Sequence, residues 1–96
     1  MNRLVLQASL VERQVLRYTP AGLPALDFVL KHESELSEAR QTRKVSVELR
    51  AVALGELTQA LSGMNLGHTA VFAGFLGPAR NGRGVVFHVT AIEQAT

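Results

Sequence analysis

The chain has 96 residues, 47% of them hydrophobic, a formal net charge of +2 and no cysteine. This is enough for one domain with a modest core, too apolar for a disordered chain, and incompatible with disulfides or thiolate zinc sites. No apolar run approaches the roughly 18 residues of a membrane helix, and the charged, alternating start MNRLVLQASLVER differs from a signal peptide, so a cytoplasmic protein is expected.

Residues 3–11 alternate, with Leu4, Leu6, Ala8 and Leu10 on one face, and predict a first strand. Residues 12–24 predict a turn region. Within it Pro20 and Gly22 suit positions i+1 and i+3 of a type I turn that starts at Thr19, and Pro24 holds the chain extended. Residues 25–32 predict a second strand, with Leu26, Phe28 and Leu30 inward and Asp27 and Lys31 outward. The polar stretch ESELSEARQT, residues 33–42, lacks strand or core signals and predicts a mobile loop. Residues 43–54 predict a third strand, with Val45, Val47, Leu49, Ala51 and Ala53 inward and Ser46, Glu48 and Arg50 outward.

The period then changes. Leu57, Ala60, Leu61 and Met64 fall at 3, 4 and 7 spacing and predict a short helix with one apolar face, which Gly63, Asn65 and Gly67 terminate. Residues 68–77 predict a fourth strand and 85–92 a fifth. Between them Asn81-Gly82 predicts a two-residue hairpin turn closed by Arg80 and Arg83. Five strands with one short helix between the third and fourth is the order of an all-β OB-fold barrel. Barrels of this kind commonly bind nucleic acid across strands two and three and through the 1–2 and 4–5 loops.

Eight residues are candidate nucleic-acid contacts. Arg17 and Tyr18 place a cation and an aromatic on the first rim loop. Arg80 and Arg83 face each other across the predicted hairpin, where like charges repel and an anionic ligand would relieve them. Arg43, Lys44 and Arg50 form a basic stripe on the third strand, with Lys44 and Arg50 outward and Arg43 at the loop edge; Lys31 lies outward on the second. Of the ten basic residues eight are arginine, the side chain suited to bidentate phosphate contacts and stacking; a GC-rich genome favours the same residue. A solvated outer face accounts for the stripe equally well. Five apolar residues, Val5, Val11, Val29, Val52 and Phe72, fall off the main stripes and suggest an interface. The three histidines have no metal-ligand spacing, and no nucleophile–base arrangement is present, so no enzyme, metal or cofactor is expected.

The segments Asn2-Arg3-Leu4-Val5-Leu6, Pro20-x-Gly22-x-Pro24, Phe28-Val29-Leu30-x-His32-x-Ser34, Gly74-Phe75-Leu76, Asn81-Gly82 and Ile92-Glu93, in this order, resemble the primosomal replication protein N (PriB) family. The resemblance implies a homodimer of OB-folds that binds single-stranded DNA and the primosomal helicase PriA. With other primosome proteins it would help reload the replicative helicase at stalled forks, without enzymatic activity or cofactor. The DNA contacts implied by local alignment are Arg17, Arg43 and Arg80, with Arg83 a near neighbour. Two features depart from the family. Gln41 and Ser46 stand where some relatives carry aromatics, and the second rim hairpin is shorter and lacks lysines. Weaker, mainly electrostatic binding is the expectation.

The chain is also similar to ordinary single-stranded-DNA-binding proteins, whose stacking tryptophans and acidic C-terminal tail it lacks; the PriB-like reading is therefore preferred. A protein-interaction adaptor that has lost most DNA binding is the alternative from another class.

Overall fold

The computed structural model describes residues 1–94. In chain order it contains β1 (Leu4–Arg13), the short β2 (Arg17–Tyr18), β3 (Pro24–Glu38), β4 (Gln41–Leu54), α1 (Leu57–Ser62), β5 (Thr69–Pro78) and β6 (Val85–Gln94). They form one sheet in the order β1-β5-β6-β4-β3-β2, and β1 also pairs with β3, so the five long strands close on themselves. The β4–β6 pairing, through Ala51↔Phe87 and Val52↔His88, is parallel; the other pairings are antiparallel. This closed barrel, with its helix between the third and fourth long strands, is the OB-fold that the element order predicts.

Alternation builds the core. β1 contributes Ala8 and Leu10; β3 Leu26, Phe28 and Leu30; β4 Ala51 and Ala53; β5 Ala70 and Phe72; β6 Phe87 and Val89. The Phe28 and Phe72 rings lie 6.4 Å apart at a tilt of 40°, a favourable aromatic geometry. Helix α1 is too short to stand alone. It packs Leu57, Leu61 and the following Met64 against the core, and Arg13 Nη1 donates to the carbonyls of Leu61 (3.0 Å) and Met64 (2.6 Å). A cation thus meets the carbonyl-rich C-terminal end of the helix.

Three sequence expectations need correction. First, residues 33–42 are not a loop. β3 and β4 pair without a break from Ala25↔Leu54 out to Glu38↔Gln41, closed by the two-residue turn Ala39-Arg40, with φ of 52° and 65°. Two consecutive positive φ values are the backbone of a tight hairpin turn that usually selects Asn-Gly; Ala-Arg gives no such signal. Oppositely charged cross-strand neighbours, Glu35↔Lys44 among them, help zip the ribbon. Its outer half runs beyond the barrel, because β1–β3 pairing stops at Lys31. Val47, expected inward, is therefore exposed, and Val45 is only half-buried.

Second, Asn81-Gly82 is not a two-residue hairpin. The last β5–β6 pair is Pro78↔Val85, leaving a six-residue loop, 79–84. Within it Gly82 N–H donates to the Ala79 carbonyl at 2.9 Å and Ala79 N–H to that of Gly84 at 3.2 Å. Arg80 occupies the second position of the turn, and Arg83 follows it with its N–H on Asn81 Oδ1 at 2.8 Å. The two arginines do not close a ladder opposite each other, so the like-charge argument does not apply.

Third, the apolar surplus is smaller than it looks in sequence. Phe72 and Val52 are buried within the chain, whereas Val5 and Val11 remain exposed on β1 and Val29 is half-buried.

Candidate nucleic-acid interface

The strand register places one residue in two on the outer face of the barrel. Across β3, β4, β6 and β5 runs the row Asp27, Val52, His88, Phe75. Toward the tip of the ribbon the outward cross-strand pairs are Val29↔Arg50, Lys31↔Glu48, Glu33↔Ser46 and Glu35↔Lys44. Lys31, Lys44 and Arg50 therefore share this face as expected, interleaved with Glu33, Glu35 and Glu48. Arg43 does not join them. It pairs in register with Leu36 on the opposite face, and its Nε lies 2.7 Å from Glu38 Oε1. Lys31 Nζ is 3.4 Å from Glu33 Oε1. Among the described residues Lys44, Arg50 and Arg83 have no ion-pair partner and are exposed.

The first rim loop forms the expected turn, with Gly22 N–H donating to the Thr19 carbonyl at 2.8 Å. Tyr18 projects into solvent with 66% of its surface exposed. Its neighbour is committed elsewhere. Arg17 Nε and Nη2 donate to the two carboxylate oxygens of Asp27 at 2.6 and 3.1 Å. Arg80 of the second rim loop approaches the same carboxylate, Nη2 to Oδ2 at 3.8 Å, while staying 75% exposed on its side chain. Asp27 therefore ties the two rim loops together, firmly to Arg17 and loosely to Arg80. The hydrogen bond from Arg17, reinforced by its charge and that of Arg80, outweighs desolvation and holds the Asp27 carboxyl below the usual aspartate range; the same bond raises Arg17.

This pairing makes Arg17 an architectural arginine first. Arg17→Ala is expected to cost about 1 kcal/mol at neutral pH, the scale of a charge-assisted pair at a partly exposed site. Asp27 titrates lower in the folded chain than in the unfolded one. Its contribution is therefore complete above about pH 4, where an unfolded aspartate ionises, and is lost as pH falls through the lower folded value. Urea melts of Asp27→Asn and wild type should differ at pH 7 and converge in strong acid. Equal stability at pH 7 would show that the pair contributes nothing.

Sequence reasoning missed Phe75 and His88. Phe75 is 41% exposed on the outer face of β5. Its ring stacks on His88 with centroids 4.7 Å apart and planes 3° apart. Parity could have revealed it: with Phe72 inward, a residue three further along the same strand points outward. His32 has a structural role, its Nδ1 donating to the Gln7 carbonyl at 2.6 Å and its Nε2 accepting from Ser34 Oγ at 2.9 Å. Among the described residues no cluster of His, Asp and Glu could hold a metal ion.

Residues 2–91 match the model of a family described as another single-strand binding protein family. The chain is 49% identical over 80 residues to the replication restart protein PriB of Bordetella pertussis, covering 83% of this chain and 75% of that one. The crystal structure of PriB from Ralstonia solanacearum superposes with a TM-score of 0.90 at 36% identity, covering 100% and 99% of the two chains. The single-strand-binding domain of a Synechococcus protein superposes with a TM-score of 0.72 at 25% identity, covering 98% and 96%.

Proposed function

The chain belongs to the PriB family of replication restart proteins, and from that premise we propose that it binds single-stranded DNA on the outer β3–β4 face and the two rim loops. The observation that carries the reading is that Lys44 and Arg50 on this face and Arg83 on the second rim loop are exposed and, among the described residues, without ion-pair partners, beside the exposed Tyr18 and the weakly held Arg80. They fit a chain of phosphates and one or two unpaired bases. Lys31 and Arg43, each shared with a glutamate, contribute less, and Arg17 acts mainly by positioning the loop beside Asp27.

In this reading the protein is a cytoplasmic, non-catalytic factor without cofactor. It works with a PriA-type helicase and other primosome proteins when stalled forks are restarted, and helps reload the replicative helicase. It acts as a homodimer. The open edge of β1 supports that state: Leu4–Ala8 pair with β5 on one side, while β1 pairs with β3 only from Ser9 onward, and Val5 is exposed there. An unpaired strand edge is a template for a second strand.

Fluorescence polarisation of a labelled oligo(dT) against salt tests the reading. A log–log slope of roughly −2 to −3 is expected for three or four phosphate contacts at about −0.7 each, with sedimentation equilibrium of the same sample giving twice the chain mass. Absence of binding at low salt would leave a protein-interaction adaptor, the reading that the glutamates interleaved along the ribbon would then favour.

A further inference from the structure

The outer face carries an aromatic pair that the cation pattern does not use. Phe75 of β5 and His88 of β6 are direct register partners, and their rings lie parallel, 3° apart, at 4.7 Å. Offset stacking at this distance supports the Phe75 ring on a face where it is 41% exposed. Neighbouring residues keep it open. A Cβ at Gly77 would come within 3.1 Å of His88 Cδ2 and Nε2, so any larger residue there would displace the imidazole. Beside the pair a shallow groove of about 210 Å³ is lined by Val52, Leu54, Leu57 and Thr90.

A cation stands at the other end of the row. The last registered β1–β5 pair is Leu4↔Gly74. One residue beyond Arg3, the Asn2 side chain is bonded on both sides to the Leu76 backbone, donating to its carbonyl at 2.6 Å and accepting from its N–H at 2.9 Å. The exposed Arg3 is thereby held opposite Phe75. The row reads Arg3, Phe75, His88, Val52, Asp27, with Arg80 reaching Asp27 from the loop at its far end. An exposed aromatic ring with a guanidinium beside it matches an unpaired base and an adjacent backbone phosphate.

We propose that Phe75, stacked on His88 and flanked by Arg3, is a base-stacking subsite for an unpaired nucleotide of single-stranded DNA. The subsite rests on the DNA-binding reading above and deepens it. It supplies, from β5 and β6, the stacking that Gln41 and Ser46 cannot supply from β4. The DNA strand that follows the outer β3–β4 face then continues across β6 and β5, beside the helix end of the barrel.

The chain has no tryptophan, so Phe75→Trp installs a single reporter at the site. Oligo(dT) should quench its emission at the same concentrations that raise polarisation of the labelled oligonucleotide, whereas an abasic phosphodiester of equal length should bind without quenching. Phe75→Leu should weaken oligo(dT) binding roughly tenfold, within the range that base–aromatic stacking carries. Its salt slope should stay unchanged because no charge is removed, and abasic binding should stay at the wild-type level. Circular dichroism melts check that each variant folds; should Phe75→Leu fail to fold, the quenching experiment decides alone. Oligo(dT) binding to Phe75→Trp without quenching, or equal affinity of Phe75→Leu and wild type, would overturn the subsite and leave the DNA-binding reading standing. Failure of the wild-type protein to bind any oligonucleotide would overturn both.

Discussion

Gly74→Ala should destabilise the barrel by about 3 kcal/mol, the upper end of what overpacking a tight interior costs. A Cβ at Gly74 would fall inside the contact radius of the His88 carbonyl oxygen, 2.8 Å from the His88 carbonyl carbon and 3.1 Å from Val89 Cα. All three are backbone atoms of the neighbouring strand and cannot rotate away. The site coincides with the register shift between Ala73 and Gly74 against β6, where the strand bends to close the barrel. At roughly 4–8 °C per kcal/mol for a domain of this size, the melting temperature should drop by about 12 °C or more. Gly82→Ala is the contrasting case. Its φ is +76° but nothing lies within 4 Å of the added carbon, so only the left-handed backbone is penalised, by about 1 kcal/mol. Thermal melts of the two variants separate crowding from conformational strain. A Gly74→Ala protein that melts within a few degrees of wild type would show that the strands can part at the bulge.

The triple variant Arg50→Ala/Arg80→Ala/Arg83→Ala should lose roughly 500-fold in oligonucleotide affinity at 50 mM salt and show a salt slope shallower by about 2. The estimate takes about −0.7 per phosphate contact, which amounts to nearly one decade each between 1 M and 50 mM salt. None of the three side chains is buried, and among the described residues only Arg80 has a carboxylate within 4 Å, at 3.8 Å. Stability should therefore stay within about 0.5 kcal/mol of wild type. Arg43→Ala is the internal comparison. It removes a positive charge from the same ribbon, but one held by Glu38 on the opposite face, and should change affinity less than threefold. If Arg43→Ala weakens binding as much as the triple variant, the DNA lies on the other side of the ribbon.

The barrel was legible because its strands obey one rule: inward residues two apart, with Leu26, Phe28 and Leu30 as the clearest run, and a change of period at Leu57. The β3–β4 ribbon was not. Its strands bury little, so no hydrophobic alternation marks them, and its turn places Ala39 and Arg40 in a conformation that neither residue advertises. The opposite error occurred at Asn81-Gly82, where a strong local signal sits inside a longer loop because pairing ends at Pro78↔Val85. At the site, the outward placement of Lys31, Lys44 and Arg50 followed from parity alone. Which cations are free did not, since the partnerships of Arg17 with Asp27 and Arg43 with Glu38 depend on how loop and turn fold back. The stacked pair of Phe75 and His88 was not legible, because it forms between β5 and β6 in a register set by the irregularity at Ala73/Gly74.

Beyond His32, whose side chain still reaches the Gln7 carbonyl of β1, the two strands of the ribbon pair only with each other. Leu36 and Val47 lie exposed on them, and the molecule extends to 50 Å along its longest axis, against 31 and 22 Å across. An isolated two-stranded ribbon is marginal in water and forms and opens in microseconds. The projecting half is therefore a separate equilibrium grafted onto a cooperative barrel, with free energy near zero where the barrel's is several kcal/mol. Whatever grips it, a nucleic-acid backbone or a partner's sheet edge, spends part of its binding energy on ordering the ribbon. Its affinity then responds to changes in hairpin propensity at Ala39 and Arg40, at positions that the ligand never touches.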